Sequence, residues 1–264
     1  MKKQTHDIAD LYGKTCVIIG GAGLIGGAFS RACAVQGAQI VIADVDKKKG
    51  ALLAREITRS GGKAVFLPVD TIKEQSVKKL VAAVIRRFKR VDALVNCAHF
   101  NTGSWGKPFT ETGYKDFLAY IGKHVGGPFL ATREFAKVMK KQKSGAIVFM
   151  SSIYGVFPPR FEIYGGTSMT VRAEYAAAKG ALIQLMRYLA KALGPYGIRV
   201  NAISPGGVYD NQHSSFVKKY SKHAVLGNRM AKTDDLAPAL IFLVSDASRY
   251  VTGQNVIIDG GWTL

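Results

Sequence analysis

Acidic side chains are scarce in this chain: 18 Asp and Glu stand against 37 Lys and Arg, leaving a formal charge of +19 over 264 residues. Cysteine is scarcer still. The three present, Cys16, Cys33 and Cys97, are odd in number and lie in apolar segments, which excludes a disulfide framework and predicts buried, reduced thiols. No long hydrophobic run occurs. The most apolar stretch, 17–29, is short and rich in glycine, well below the ~20 residues a membrane-crossing helix needs. The opening MKKQTHDIADLYGK turns polar and acidic where a secretory signal would carry its apolar core, so a cytoplasmic address is expected. Low-complexity blocks, internal repeats and zinc-ligand spacings are lacking, and no metal site is expected. With 48% hydrophobic residues spread evenly, disorder is excluded as well.

The basic surplus admits a nucleic-acid reading, since clustered cations release phosphate counterions. Its distribution weakens that reading. The runs Lys47–Lys49, Arg86–Arg90, Lys140–Lys143 and Lys218-Lys219 fall in different helical segments or at their ends, where a cation also complements the helix dipole. No helix-turn-helix, zinc or aromatic RNA-binding signature accompanies them, so neither a specific nucleic acid nor a membrane is expected as partner.

What is present is alternation. Nearly continuous Val- and Ile-rich runs at Thr15–Ile19, Gln39–Ala43, Ala64–Pro68, Ala93–Asn96, Ala146–Met150, Arg199–Ile203 and Asn255–Ile258 predict buried parallel strands. Amphipathic stretches at Leu24–Gln36, Lys47–Arg59, Glu74–Phe88, Tyr114–Lys141, Tyr175–Leu193 and Asp234–Leu243 predict the helices between them. The expected architecture is one doubly wound α/β domain over residues 1–264, with residues 1–12 as an N-terminal extension. Long connections after Ala98 and after Ser152 have lengths that usually signal function.

Gly20, Gly21, Gly23, Leu24, Ile25 and Gly26 follow the first strand and open the first helix. A turn without side chains lets a pyrophosphate reach backbone N–H groups at a helix N-terminus. Asp44 ends the second strand, 18 residues beyond Gly26, where an acid accepts hydrogen bonds from ribose hydroxyls and repels a 2′-phosphate. NAD is therefore expected in preference to NADP, although Lys47–Lys49 lie close enough to receive a 2′-phosphate. Further on, Tyr175 and Lys179 stand one helical turn apart, so the ammonium can draw the phenol pKa down and make Tyr175 a general acid/base.

From Leu11 to Leu264 the chain resembles the classical short-chain dehydrogenase/reductase family. The resemblance rests on IGGAGLIG (19–26), IADVD (42–46), VDALVNCAH (91–99), IVFMSSIYG (147–155), YAAAK (175–179), IRVNAISPGG (198–207) and YVTGQNVIIDGG (250–261), in family order. It implies a seven-stranded parallel sheet, a Rossmann-type nicotinamide site and hydride transfer at a carbinol or ketone carbon. It further implies that Tyr175 is the acid/base, that Lys179 lowers its pKa and bonds the nicotinamide ribose, and that Ser152 orients the substrate oxygen. By the same carry-over, Asp70 and Thr71 adjoin the adenine, Asn96 and Ala98 the cofactor, and Pro205, Gly206 and Val208 the nicotinamide.

Two departures bear on chemistry. His124 stands where the family has a catalytic asparagine; an imidazole holding the relay water would titrate near ~6.5 and add a pH dependence. Ser152 and Tyr175 are 23 positions apart, further than is usual in the family, which makes 153–174 an insert between two catalytic positions. Its polar content, including Arg160, Tyr164 and Thr167 as substrate candidates, predicts a hydroxyl-rich ligand; a surface ion pair between Arg160 and Glu162 is the alternative use of that arginine. FEIYGGTSMT, EYAAAK and SPGGVYDNQ resemble the flagellin modification protein A branch, associated with legionaminic-type nine-carbon sugars for surface glycans. That implies a sugar, sugar-phosphate or nucleotide-sugar substrate, toward which a positive field would steer an anion. A 3-oxoacyl-thioester reductase and a non-catalytic nucleotide-binding scaffold are the competing readings. The helices beginning near Tyr114 and Tyr175 resemble those that form homodimers or homotetramers in the family.

Overall fold

The computed structural model describes residues 9–100 and 108–264. The first eight residues of the expected N-terminal extension and residues 101–107 of the long connection after Ala98 lie outside the described residues.

Seven strands form one parallel sheet in the order β3-β2-β1-β4-β5-β6-β7. They are β1 (Thr15–Ile19), β2 (Gln39–Asp44), β3 (Lys63–Pro68), β4 (Ala93–Asn96), β5 (Gly145–Met150), β6 (Ile198–Pro205) and β7 (Asn255–Ile258). Alternation along each strand distributes its side chains to two cores. Val17 and Ile19 of β1 pack with Val77, Leu80, Phe135, Met139 and Met186 on one face. Cys16 and Ile18 pack with Phe29, Cys33, Leu53, Leu240 and Leu243 on the other. With both faces covered, the strands read as continuous hydrophobic runs, which is why the sequence reveals them. Cys16 and Cys33 are buried and Cys97 partly so, all as free thiols.

The helices are α1 (Leu24–Val35), α2 (Lys47–Arg59), α3 (Glu74–Phe88), α4 (Tyr114–Ile121), α5 (Gly127–Gln142), α6 (Ala173–Leu193), α7 (Ser214–Ser221) and α8 (Ala237–Val244). The expected single helix over Tyr114–Lys141 is interrupted by a π-helical turn at Gly122–Gly126. Local chemistry accounts for the break: glycines at 122, 126 and 127 weaken the helix, and Pro128 has no N–H to give the carbonyl of residue 124. The expected helix over Asp234–Leu243 likewise divides into a 3₁₀ turn, Thr233–Asp235, and α8. The amphipathic pattern did not outline α7, which carries Lys218 and Lys219 in its last turn.

Strand order reverses between β1 and β4, whose carboxyl ends diverge into separate connections. In open α/β sheets a crevice forms at that switch point. Gly20, Asp44, Asn96, Ser151 and Pro205 all stand at the carboxyl ends of β1, β2, β4, β5 and β6 or immediately after them.

Candidate active site

A cleft of about 580 Å³ runs along these strand ends, bordered by Leu24 and Ile25 at one end and by Tyr164 and Phe216 at the other. Its floor is built by β5 and α6. Ser152 is buried just past β5, and its oxygen accepts from the Tyr154 N–H, fixing the turn that follows. That turn lies directly on α6: a Cβ on Gly155 would fall 2.6 Å from the carbonyl carbon of Lys179, so only glycine permits the approach. Ser151 Oγ adds a 2.8 Å hydrogen bond to the Lys179 carbonyl. These contacts bring Ser152 within hydrogen-bonding reach of the Tyr175 phenol, although 23 residues separate them in the chain.

The ammonium of Lys179 lies 5.6 Å over the Tyr175 ring and donates to the Met150 carbonyl at 2.8 Å. Burial pushes its pKa down to about 8. Burial also raises the Tyr175 phenol above its ordinary value, and the Ser152 hydroxyl draws it part of the way back. This corrects the expectation that Lys179 sets the tyrosine pKa: with the ammonium held at the Met150 carbonyl, desolvation outweighs its field and Ser152 is the group that favours phenolate.

The glycine turn meets the steric demands of a phosphate cradle. Gly20 has φ +72° against the Ala98 backbone, and a Cβ on Gly26 would fall 2.1 Å from the Gly20 carbonyl oxygen. The N-terminus of α1 has no side-chain cap, so its first N–H groups keep their donors for a ligand. Asp44 sits beside this turn, its two oxygens accepting from the N–H groups of Ala22 and Asp46. Leu24, Ile25, Pro205, Gly206 and Val208 line the cleft with Tyr175 and Lys179. Asp70 and Thr71 lie beyond it, after β3; Asp70 pairs with Lys73 at 3.1 Å, and the Thr71 hydroxyl, buried against Gly127, has no hydrogen-bond partner among the described residues. Asn96 donates to Thr132 Oγ1, and its own Oδ1 is buried without a hydrogen-bond partner among the described residues.

His124 sits in the π-helical turn, stacked on Tyr120 at 3.8 Å between ring centroids. Its Nδ1 lies 3.1 Å from the Tyr120 carbonyl and its Nε2 accepts from the Phe100 N–H at 3.1 Å. Burial lowers its pKa to about 4. Both corrections follow: the ring is neutral near pH 6.5, and neither nitrogen is left for a relay water. His99, which the sequence reading passed over, lies between His124 and Tyr175, with ring centroids at 5.1 and 6.3 Å.

Two substrate candidates do not reach the cleft. Arg160 stacks its guanidinium 5.1 Å over Trp262 and contacts His223 Nδ1 at 3.2 Å, while Glu162 is exposed on the surface. Thr167 closes a turn, donating to the Tyr164 carbonyl and accepting from the Met169 N–H. The insert instead contributes Tyr164, Met169, Val171 and Arg172 to the wall, a more apolar surface than its composition predicts. Tyr164 and Tyr154 join their hydroxyls at 3.1 Å. Behind them Tyr220 and Trp262 stack at 5.0 Å, and the Gly207 N–H donates to the Tyr220 hydroxyl.

A family model described as enoyl-(acyl carrier protein) reductase matches residues 21–263. The chain belongs to the short-chain dehydrogenase/reductase family. Members of this family are oxidoreductases that use nicotinamide cofactors on small molecules. This dehydrogenase/reductase is 33% identical over 256 residues to the post-translational flagellin modification protein A of Campylobacter coli, covering 96% of this chain and 100% of that one. It is 36% identical to L-rhamnose 1-dehydrogenase (NAD(P)(+)) of Azotobacter vinelandii, covering 95% and 97%. Its fold matches a gluconate 5-dehydrogenase from Burkholderia cenocepacia in complex with NADP and tartrate, with a TM-score of 0.87, 28% identity and 98% of each chain covered. No helix among the described residues is long and apolar enough to cross a membrane, and no group of three or more potential metal ligands occurs among them.

Proposed function

We propose that this protein is a cytoplasmic, NAD(H)-dependent oxidoreductase acting at a hydroxyl or ketone carbon of a sugar, sugar phosphate or nucleotide sugar in surface-glycan, legionaminic-type synthesis. The observation that carries the reading is the placement of the Ser152 hydroxyl within reach of the Tyr175 phenol on the floor of a cleft that begins at a glycine-lined helix N-terminus. The glycine turn and Asp44 hold the dinucleotide, Asp44 accepting from the ribose hydroxyls and disfavouring a 2′-phosphate. The nicotinamide, when bound, supplies or accepts the hydride.

Everything else is the protein's own work. Ser152 donates to the substrate oxygen and fixes its position. Tyr175 exchanges the proton with that oxygen, as acid in reduction and as base in oxidation. Lys179, one turn on and anchored at the Met150 carbonyl, bonds the nicotinamide ribose, and the Ser152 hydroxyl eases ionisation of the phenol. His124 acts as a positioning residue, tying the Phe100 backbone to α4. Residues 1–12 are an extension, 153–174 a substrate-loop insert, and the enzyme a homodimer or homotetramer through α4, α5 and α6, which expose Tyr114, Leu118, Phe129 and Tyr188.

Similarity to a flagellin modification protein and to a rhamnose dehydrogenase supports the carbohydrate reading. The apolar and aromatic wall, with the description of the matching family model, favours a second reading, a 3-oxoacyl-thioester reductase. Nicotinamide absorbance followed with NAD and NADP against hexose phosphates, nucleotide hexoses, free sugars and 3-oxoacyl thioesters separates the two. Turnover confined to the thioester overturns the carbohydrate reading.

A further inference from the structure

We propose that His99 is a substrate-contacting specificity residue, its imidazole hydrogen-bonding a hydroxyl on the carbon next to the one that exchanges hydride. The inference rests on the carbohydrate reading above and adds a neighbouring hydroxyl to what the cleft selects.

His99 lies three residues beyond β4, in the connection that leaves the sheet where strand order reverses. Its side chain is exposed and borders the cleft. The Tyr175 ring meets it edge-on at 6.3 Å between centroids, within the range of ring-to-ring contact, so a substrate oxygen held by Tyr175 and Ser152 lies beside the imidazole. On its other side stands His124, with ring centroids at 5.1 Å. That neighbour has no hydrogen bond to give: its Nδ1 is at the Tyr120 carbonyl and its Nε2 accepts from the Phe100 N–H. His99 itself forms no hydrogen bond among the described residues. The ring is thus held by packing, and its nitrogens remain for a ligand.

Charge decides the class of group it receives. The cleft walls desolvate the imidazole, and the Lys179 ammonium, His124 and the Arg172 guanidinium add repulsion, which together hold its pKa well below the ordinary 6.5. A neutral imidazole presents one N–H donor and one acceptor nitrogen. A hydroxyl can pair with either, accepting from the one or donating to the other, whereas an oxyanion can use only the donor and a methylene neither. Because the imidazole stands next to the proton-exchanging phenol and not at the far end of the cleft, by Tyr164 and Phe216, the hydroxyl it meets is the one on the adjacent carbon.

The test compares cis-1,2-cyclopentanediol, whose carbinol carbons are equivalent and each carry a neighbouring hydroxyl, with cyclopentanol, which lacks it. Both are titrated by ligand-detected NMR into the enzyme saturated with NADH, so that binding is read without turnover, for the wild type, His99→Phe, His99→Asn and the exposed control Lys141→Gln. One hydrogen bond of this kind corresponds to about two- to tenfold in affinity. The expected result is that the diol binds at least about threefold more tightly than cyclopentanol, and that His99→Phe, which keeps a ring and removes its nitrogens, brings the ratio to about one. His99→Asn, which keeps a donor and an acceptor, should restore part of the preference, and Lys141→Gln should leave it unchanged. A role confined to packing would not move this ratio. Should His99→Phe fail to fold beside His124, His99→Ala is titrated in its place. An unchanged ratio in the folded variant, no preference for the diol in the wild type, or no detectable binding of the diol overturns the proposal. Failure of the carbohydrate reading looks different: the diol preference depends on His99, yet only a 3-oxoacyl thioester is turned over.

Discussion

The ammonium of Lys179 donates to the carbonyl of Met150 at 2.8 Å, so the lysine that the sequence assigns to Tyr175 is anchored to the end of β5. The same strand end delivers Ser152, and one structural unit therefore positions all three candidate catalytic groups. Burial, rather than the lysine, dominates the phenol, and the Ser152 hydroxyl becomes the group that eases its ionisation.

Tyr175→Phe removes the proton donor and keeps the ring. Turnover should fall by about 10²- to 10⁴-fold, with NAD affinity and thermal stability close to wild type. Steady-state rates, nucleotide titration and a melting curve check this; a variant retaining a wild-type rate would remove Tyr175 from the chemistry.

The depressed pKa of Lys179 carries a stability signature. Folded, the group titrates at about 8; its ordinary value is 10.5, so between those values the unfolded chain holds more protons. Stability must then rise with pH across that window, as the cost of the buried charge disappears. Melting curves of the protein without added nucleotide should show the wild type gaining on Lys179→Met from about pH 8 to 10, and parallel curves would contradict the assignment.

His124 behaves in the opposite part of the pH range. Its folded pKa of about 4 lies below the ordinary 6.5, so the unfolded chain binds the extra proton first and stability falls as pH drops from 6.5 toward 4. His124→Asn should lessen that acid loss. The rate profile between about pH 5.5 and 8 should keep its shape, because the ring is neutral throughout. A change of profile in that range would restore a relay role.

Gly26→Ala tests the cradle. Its Cβ would stand 2.1 Å from the Gly20 carbonyl oxygen, forcing the turn open. Nucleotide affinity, measured by titration, should fall well over tenfold, and the melting temperature should drop with it. Normal binding would place the dinucleotide elsewhere.

Trp262→Ala tests the far wall. Trp262 is 2% exposed, stacks on Tyr220 and carries the Arg160 guanidinium, joining the insert to α7 and the C-terminal segment. Truncation should cost about 3–5 kcal/mol of stability and raise KM more than it lowers kcat. Arg160→Gln should shift KM less, since the side chain touches the stack and not the cleft.

Strands were legible because both faces of a parallel sheet are buried, which leaves unbroken runs such as Thr15–Ile19. Ser152, Tyr175, Lys179 and the glycine turn were legible for another reason: each sits in a contiguous motif whose spacing follows strand or helix geometry. What escaped depends on contacts distant in sequence. Nothing local to Arg160 announces that Trp262, 102 positions later, will take its guanidinium. Thr167 is polar yet spends its hydroxyl on a turn. Arg172, three residues before Tyr175, was visible as a basic residue, but its burial in the cleft wall is a tertiary fact. The π-helical turn could have been anticipated from the glycines and Pro128, whose local effects the apolar periodicity of Tyr114–Lys141 masks.

The central claim is hydride exchange between a nicotinamide and a carbohydrate, run by Tyr175. Its most direct measurement is nicotinamide absorbance during incubation of the purified enzyme with NAD or NADP and a panel of sugars, sugar acids, sugar phosphates and nucleotide sugars, repeated with Tyr175→Phe. The account predicts NAD-preferring turnover of at least one carbohydrate, lost in the variant. Turnover of 3-oxoacyl thioesters alone, or a carbohydrate rate that survives Tyr175→Phe, would contradict it.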